Sequence, residues 1–170
     1  AIDGVNYKFV TTNSLTNNTD LANNTVTFNN VVIKQGEPVN LTFTYDSAAN
    51  PSAIFEIPDP NVDTTSLTVS VQQSFSNNFS QVYNLVDDYL SLNDTTEAYF
   101  LQEAGNGNYQ IYFGDGVLGK SLVDGNIVNV SYIITSGTAA AGANSFVLMD
   151  SISGFSTATI TPYLAATQRS

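Results

Sequence analysis

An apolar residue at every second position recurs along this chain, and a period of two is the signature of β-strands. Side chains of a strand point alternately to opposite faces, so each run buries one face and exposes the other. The intervening positions are mostly Thr, Ser and Asn, and the β-branched Thr favours extended backbone. The alternating apolar residues are Val5, Tyr7 and Phe9; Val39, Leu41, Phe43 and Tyr45; Leu67, Val69 and Val71; Tyr109, Ile111 and Phe113; and Val128, Val130, Tyr132 and Ile134.

Shorter apolar runs predict four further strands, at residues 26–33, 98–103, 146–149 and 158–163. Turns rich in Gly, Asn, Asp and Pro separate the runs. The Gly-Asn-Gly-Asn stretch at 105–108 is typical of a hairpin loop between two strands. Many short strands between such turns predict a mainly β fold, with one or more antiparallel β-sandwich-like domains and little helix.

Two segments carry weak helical signals. Apolar residues between 79 and 92 fall at helical spacing, but the segment is rich in Asn, Asp, Val and Tyr, which are poor helix formers. We interpret residues 81–86 as a strand, with a short helix as the alternative. Glycines flank the alanines at 139–141, and we expect a loop there.

Prolines mark a boundary near Pro51. Proline cannot donate a hydrogen bond to a β-ladder, so the stretch around Pro51 to Pro60 is expected to be an extended connector or an edge strand. We predict an N-terminal β subdomain over residues 1–50 and a β domain over 51–145. C-terminal strands over 146–170 follow, with a return to the first subdomain as one option. Since the sequence begins at Ala1 without Met, we also expect a piece of a longer protein.

The composition excludes several kinds of chemistry. The chain has no Cys and no His, which removes disulfides, Cys-ligated or His-ligated metals and His-based catalytic triads. The net charge is −11, and the four cations are too scattered to bind nucleic acid or an anionic membrane. We predict no cofactor, no metal site and no small-molecule substrate. The four cations are Lys8, Lys34, Lys120 and Arg169.

Paired carboxylates are the catalytic option that this composition leaves open. Asp87 and Asp88 are adjacent, and Asp59 lies near Asp63 in the sequence. A glycosidase needs two carboxyl groups across a sugar ring, one of them with its pKa raised by burial. Nothing in the sequence marks a buried carboxylate, so we predict that the protein is not an enzyme. The 15 acidic residues are interpreted as a solubilising surface.

The densest cluster of turn residues lies between the strands that end at Phe113 and begin near Ile127. Glycine permits backbone conformations that a side chain would obstruct, and Asp and Asn brace tight turns. We interpret the cluster as an architectural corner that fixes how these two strands pair. A calcium or phosphate site is the alternative, although the spacing matches neither a calcium loop nor a P-loop. The residues of this corner motif are Gly114, Asp115, Gly116, Gly119, Lys120, Asp124, Gly125 and Asn126.

The stretch from Tyr99 to Tyr132 resembles the baseplate J-like family, and within it the large baseplate wedge subunits of T-even-like contractile-tailed phages. Looser similarity extends over most of residues 54–146. One departure is the run at 139–144, which has alanine where family sequences carry Asn-Gly. The matching elements are Tyr-Phe-Leu-Gln-Glu at 99–103, residues 109–113, Gly-Asp-Gly at 114–116, Gly-Lys at 119–120 and Asp-Gly-Asn-Ile-Val at 124–128.

The resemblance implies a structural, non-enzymatic component of a phage contractile-tail baseplate wedge. Such a subunit acts by subunit–subunit contact in the ring around the tail hub. Its partners would be other wedge subunits and a second copy in the full-length protein. Its location would be the virion tail baseplate, with assembly in the host cytoplasm. A secreted carbohydrate-binding or adhesive β-sandwich module is the alternative, because it would explain the acidity and the richness in Asn, Thr and Ser.

Overall fold

The computed structural model describes residues 4–152, 154 and 158–162. In these residues, strands dominate and the helical elements are short 3-10 turns at Tyr89–Ser91 and Gly137–Ala140. The mainly β fold predicted from the alternation is therefore confirmed. The strands are β1 (Phe9–Thr11), β2 (Ile33–Gln35), β3 (Glu37–Thr44), β4 (Ile54–Ile57), β5 (Val62–Ser74), β6 (Asn77–Leu85), β7 (Ala98–Glu103), β8 (Tyr109–Phe113) and β9 (Ile127–Ile134).

Seven of these strands form one curled sheet in the order β3-β9-β5-β6-β7-β8-β4, while β1 and β2 pair as a separate ribbon. The pairings are antiparallel except for a short parallel contact between β6 and β7. The two ends of the sheet approach each other, because the rings of Phe43 on β3 and Phe55 on β4 lie 5.1 Å apart between centroids. The curled sheet encloses one core, in agreement with the predicted sandwich-like arrangement.

The core is built from the inward faces of the alternating runs. Each fully buried aliphatic side chain of this kind contributes about 1.5–3 kcal/mol relative to an exposed one. The residues with the least exposed side chains come from four different strands, so the sheet is held by contacts between strands that are distant in sequence. They are Ile57, Val69, Ile111, Val128 and Val130.

The outward faces carry the uncharged polar residues that the alternation placed there. On the pair β3–β9, the Thr42 hydroxyl donates to the Asn129 side-chain oxygen at 3.0 Å. On the same pair, the Ser131 hydroxyl donates to the side-chain oxygen of Asn40 at 2.6 Å. Cross-strand pairs of this type stabilise a sheet by up to about 1 kcal/mol each.

The predicted boundary near Pro51 lies between two strands of the same sheet. β3 precedes Pro51 and β4 follows it, and Phe43 and Phe55 from these strands share the core. Pro51 itself lies in the connection between them, where the Asn50 side chain accepts a hydrogen bond from the Ile54 N–H at 3.2 Å. The core therefore draws on strands from both sides of the boundary.

Four predicted strands are wrong in whole or in part. Of the alternating run from Val5 to Phe9, only Phe9 lies in a strand, β1. Residues 26–32 are irregular and β2 begins only at Ile33, because Asn30 adopts a φ of +55° and interrupts the extended run. Residues 146–149 lie outside the strands, although the Phe146 ring does contact the Phe9 ring edge-on at 5.1 Å. Residues 158–162 are also irregular, and residue 163 lies outside the described residues.

The segment with mixed signals around residue 81 forms a strand, as predicted. β6 includes residues 81–85, and a single 3-10 turn follows at Tyr89–Ser91. The alanines at 139–141 also contribute to a 3-10 turn, at Gly137–Ala140, where a loop was expected.

Truncation of Phe55 tests how far the fold depends on closing the sheet. Phe55→Ala removes a buried ring that contacts Phe43, Tyr45 and Phe113. We expect the free energy of unfolding to fall by about 3–5 kcal/mol, because a cavity remains at the closure. Phe75→Ala is the matched control, since the Phe75 side chain is 91% exposed. Urea unfolding that shows equal losses for the two variants would contradict this view of the core.

Candidate functional site

The corner motif connects β8 to β9, but these strands are not neighbours. β8 lies between β7 and β4, while β9 lies between β3 and β5. The prediction that the corner fixes the pairing of these two strands is therefore wrong. The corner instead carries the chain from one part of the curled sheet to another, and its residues divide into two groups that brace different segments.

The first group contains two glycines whose backbones nearly touch. A Cβ atom added to Gly114 would lie 2.3 Å from the carbonyl carbon and oxygen of Gly119. The same turn is closed by a hydrogen bond from the Gly116 N–H to the Gly119 carbonyl oxygen at 3.1 Å. A side chain at Gly114 would therefore force the two backbone segments apart.

This turn is fastened to the loop that precedes β7. The Gly119 N–H donates to the Asn93 carbonyl oxygen at 3.0 Å, and the Lys120 N–H donates to the Thr96 carbonyl oxygen at 2.8 Å. The Asn93 side-chain oxygen accepts in turn from the Thr96 hydroxyl at 3.0 Å. The two loops thus form one hydrogen-bonded unit.

Asp115 braces the turn with its carboxylate. One carboxylate oxygen accepts from the Val117 N–H at 2.9 Å and from the Leu118 N–H at 3.0 Å. The hydrogen bonds from Leu118 and Val117 hold the pKa of the Asp115 carboxyl below its usual value, since they favour the charged form. This is the turn-bracing role expected of Asp.

The ammonium group of Lys120 contacts two side chains of the same molecule. Its Nζ donates to the Glu97 carboxylate at 3.0 Å and to the Gln81 side-chain oxygen at 3.1 Å. The hydrogen bond from Lys120 is the main cause that lowers the pKa of Glu97. Lys120 therefore joins the corner to β6 and to the residue before β7.

The second group binds the loop that follows β3. The Gly125 N–H donates to the Tyr45 carbonyl oxygen at 3.0 Å, and the Tyr45 N–H donates back to the Asn126 carbonyl oxygen at 2.8 Å. Asp124 accepts from the Ser47 N–H at 2.6 Å and from the Ser47 hydroxyl at 3.0 Å. These bonds tie the start of β9 to the end of its neighbour β3.

The backbone angles confirm that glycines of this corner occupy positive φ. Gly116, Gly119 and Gly125 have φ of 87°, 87° and 86°. All eight motif residues thus lie in turns or at their ends, and the side chains of the two aspartates accept hydrogen bonds from backbone N–H groups.

A surface groove of about 270 Å³ separates the corner from β5 and β6. Two side chains of the motif bind residues that line it: Lys120 donates to the Gln81 side-chain oxygen at 3.1 Å, and Asn126 donates to the Gln73 carbonyl oxygen at 2.8 Å. Sequence reasoning missed this groove. Its lining brings together residues distant in sequence, among them Val71, Phe79, Tyr83, Ser121 and Val123.

One carboxylate of each pair considered as a catalytic candidate makes a structural contact. Asp88 accepts from the Leu90 N–H at 2.9 Å and caps a 3-10 turn. Asp63 binds the Lys34 Nζ at 2.7 Å. Burial raises the pKa of Asp63, but hydrogen bonds from Lys34 and Thr65 and the charge of Lys34 outweigh it, so the net direction is downward. A general acid needs the opposite shift.

Within residues 4–152, 154 and 158–162, no three acidic side chains come together in a group that could hold a metal ion. In the same part of the chain, no helix is long and apolar enough to cross a membrane.

The chain matches no model of a known protein family. No curated protein is similar enough to it in sequence to count as a relative.

A glycine substitution tests the close approach in the corner. We expect Gly114→Ala to lower the free energy of unfolding by about 1–3 kcal/mol, because the new methyl group meets backbone atoms that cannot rotate away. Gly105→Ala is the matched control, since a Cβ atom there has no heavy atom within 4 Å. We expect Gly105→Ala to change stability by less than about 1 kcal/mol in thermal or urea unfolding. Equal effects would contradict the steric account.

The Lys120–Glu97 contact predicts a pH effect with a defined sign. In Lys120→Met, the pKa of Glu97 should rise towards its usual value of 4.5, because the main cause of its lowering is gone. A lowered carboxyl pKa stabilises the fold above the unfolded pKa, and this contribution is lost as the pH falls through the folded pKa. The stability of Lys120→Met should therefore lack the part of the wild-type stability that is present at neutral pH and lost in acid. Carbon-detected NMR titration measures the shift, and Lys8→Met should leave the Glu97 pKa unchanged.

Proposed function

We propose that this protein is a structural component of a phage contractile-tail baseplate wedge, which acts by subunit–subunit contact in the ring around the tail hub. The proposal rests on the resemblance between residues 99 and 132. In this proposal the partners are other wedge subunits and a second copy in the full-length protein, and the protein has no catalytic role.

The way in which the corner motif braces the backbone is the structural observation that supports this proposal. The resembling residues run through β7, β8, the corner and β9, which lie in two parts of the curled sheet. Within it, Gly114 and Gly119 approach each other closely, and Asp115 and Asp124 bind backbone N–H groups. Residues that brace the backbone in this way are expected of a scaffold.

The surface chemistry supports contact with other proteins. Only 11% of the residues are charged, and uncharged amides and hydroxyls cover the outer faces of the strands. The cores of protein interfaces are depleted in charge, and uncharged polar groups can form hydrogen bonds there at a lower desolvation cost than charges. Several large apolar side chains are also exposed, among them Leu21, Phe75, Leu90 and Val147.

A carbohydrate-binding or adhesive module is the second candidate, and a row of aromatic rings favours it. Phe100 on β7 stacks on Tyr112 of β8 at 4.8 Å and on Tyr89 at 5.6 Å. Tyr89 is largely exposed, and aromatic rings are common platforms for sugars. However, Phe100 is buried between its neighbours, so the row offers little free ring face. We therefore rank this candidate second.

Immunogold electron microscopy tests the proposed location. An antibody raised against this chain should label purified tailed particles encoded together with it, at the baseplate end of the tail. Label on bacterial surfaces or in secreted fractions, with none on the particles, would contradict the wedge proposal. Binding to a panel of immobilised oligosaccharides tests the second candidate. A carbohydrate-binding module should bind a sugar of the panel, and Tyr89→Ala should abolish that binding.

A further inference from the structure

Four apolar side chains on two adjoining loops project from the protein surface. Leu90 is 96% exposed, and Tyr89 beside it is 60% exposed. On the corner, Val117 and Leu118 are 70% and 49% exposed. We name these four residues the loop patch. The two loops are joined by a hydrogen bond, and exposed apolar side chains of this size on joined loops offer apolar surface to a partner.

The loop patch is held in place by hydrogen bonds. The Gly119 N–H donates to the Asn93 carbonyl oxygen at 3.0 Å, which joins the two loops. Asp88 accepts from the Leu90 N–H, and Asp115 accepts from the N–H groups of Val117 and Leu118. Less conformational entropy is lost when a partner binds a surface that is already ordered.

Charge around the loop patch has a single sign. Residues 86–94 and 114–119 contain four aspartates and no lysine or arginine, the aspartates being Asp87, Asp88, Asp94 and Asp115. Lys120, which follows directly, is occupied by Glu97 and Gln81. The apolar side chains are therefore bordered by negative charge that no neighbouring lysine of these loops neutralises.

We propose that the loop patch docks a basic segment of a different protein chain, in which apolar side chains alternate with Lys or Arg. Apolar side chains of the partner would cover Leu90 and Val117, and its cations would face the aspartates. A second copy of this chain is not the partner at this patch, because two loop patches of the same negative charge would repel each other. This inference rests on the proposed function as a scaffold that works by subunit contact.

Peptide binding followed by NMR tests the inference. The ¹⁵N-labelled chain is titrated with an amphipathic peptide of Leu and Lys, and with the same peptide carrying Glu in place of Lys. We expect the Lys peptide to shift the amide signals of residues 87–94 and 115–119, and the Glu peptide to leave them unchanged. Binding should weaken with added salt, since the aspartates are exposed to solvent.

Matched variants separate docking from general attraction to an acidic protein. Leu90→Ser should weaken binding about tenfold, as expected for a central apolar contact. Leu21→Ser is its control, because Leu21 is 89% exposed in another segment. Asp87→Asn with Asp94→Asn should also weaken binding, whereas Glu103→Gln with Asp150→Asn should not. Circular dichroism confirms that each variant is folded.

Several outcomes would overturn the inference: no binding of the Lys peptide, signal changes spread over the whole acidic surface, equal binding of the Glu peptide, or equal effects of Leu90→Ser and Leu21→Ser. A dimer of the chain that Leu90→Ser dissociates would overturn it too.

If immunogold label lies on the baseplate but the peptide does not bind the patch, the docking inference alone fails. If the peptide binds but the particles carry no label, the wedge proposal fails and the docking surface stands.

Discussion

Closure of the sheet on itself is the constraint on which the rest of this structure depends. An alternating strand has one apolar face, and with little helix in the described residues a sheet of such strands must cover that face with its own other strands. Phe55 lies at the closure. The centroid of its ring is 5.1 Å from that of Phe43, 6.5 Å from that of Tyr45 and 5.9 Å from that of Phe113. Phe43 lies on β3, Phe55 on β4 and Phe113 on β8, so these contacts join the two edges of the sheet.

Alternation predicted the central strands correctly because burial of one face enforces their register. β5 and β9 contact each other along much of their length, and Val69 and Val128 are fully buried. The same pattern failed at residues 146–149, where Val147 and Met149 are exposed. A strand also needs a neighbour with free hydrogen-bonding groups, and a sequence pattern does not show whether one is available. At residues 26–32 the prediction failed for a local reason. Asn30 adopts the left-handed conformation, which Asn tolerates better than most residues, and this interrupts the extended backbone.

The corner was predictable in its chemistry but not in its position. Glycine at positive φ and Asp115 bound to backbone N–H groups are local effects, set within three or four residues. The relative position of β8 and β9 is not a local effect, because three other strands lie between them in the sheet. The groove beside the corner escaped prediction for the same reason, since Val71, Phe79 and Val123 meet there only through the long-range order of the strands.

The lysines of the described residues all serve contacts within the molecule. Lys34 joins the ribbon to β5 through Asp63, Lys8 contacts Glu37, and Lys120 links the corner to Glu97. The Lys8–Glu37 pair is exposed and contributes at most about 1 kcal/mol, whereas Lys34–Asp63 is more sheltered and fixes the ribbon more firmly. Because these three lysines are engaged internally, the surface of the described residues presents aspartates and amides beside exposed apolar side chains. For the described part of the chain, charge attraction in an assembly then relies on cations of the other subunit.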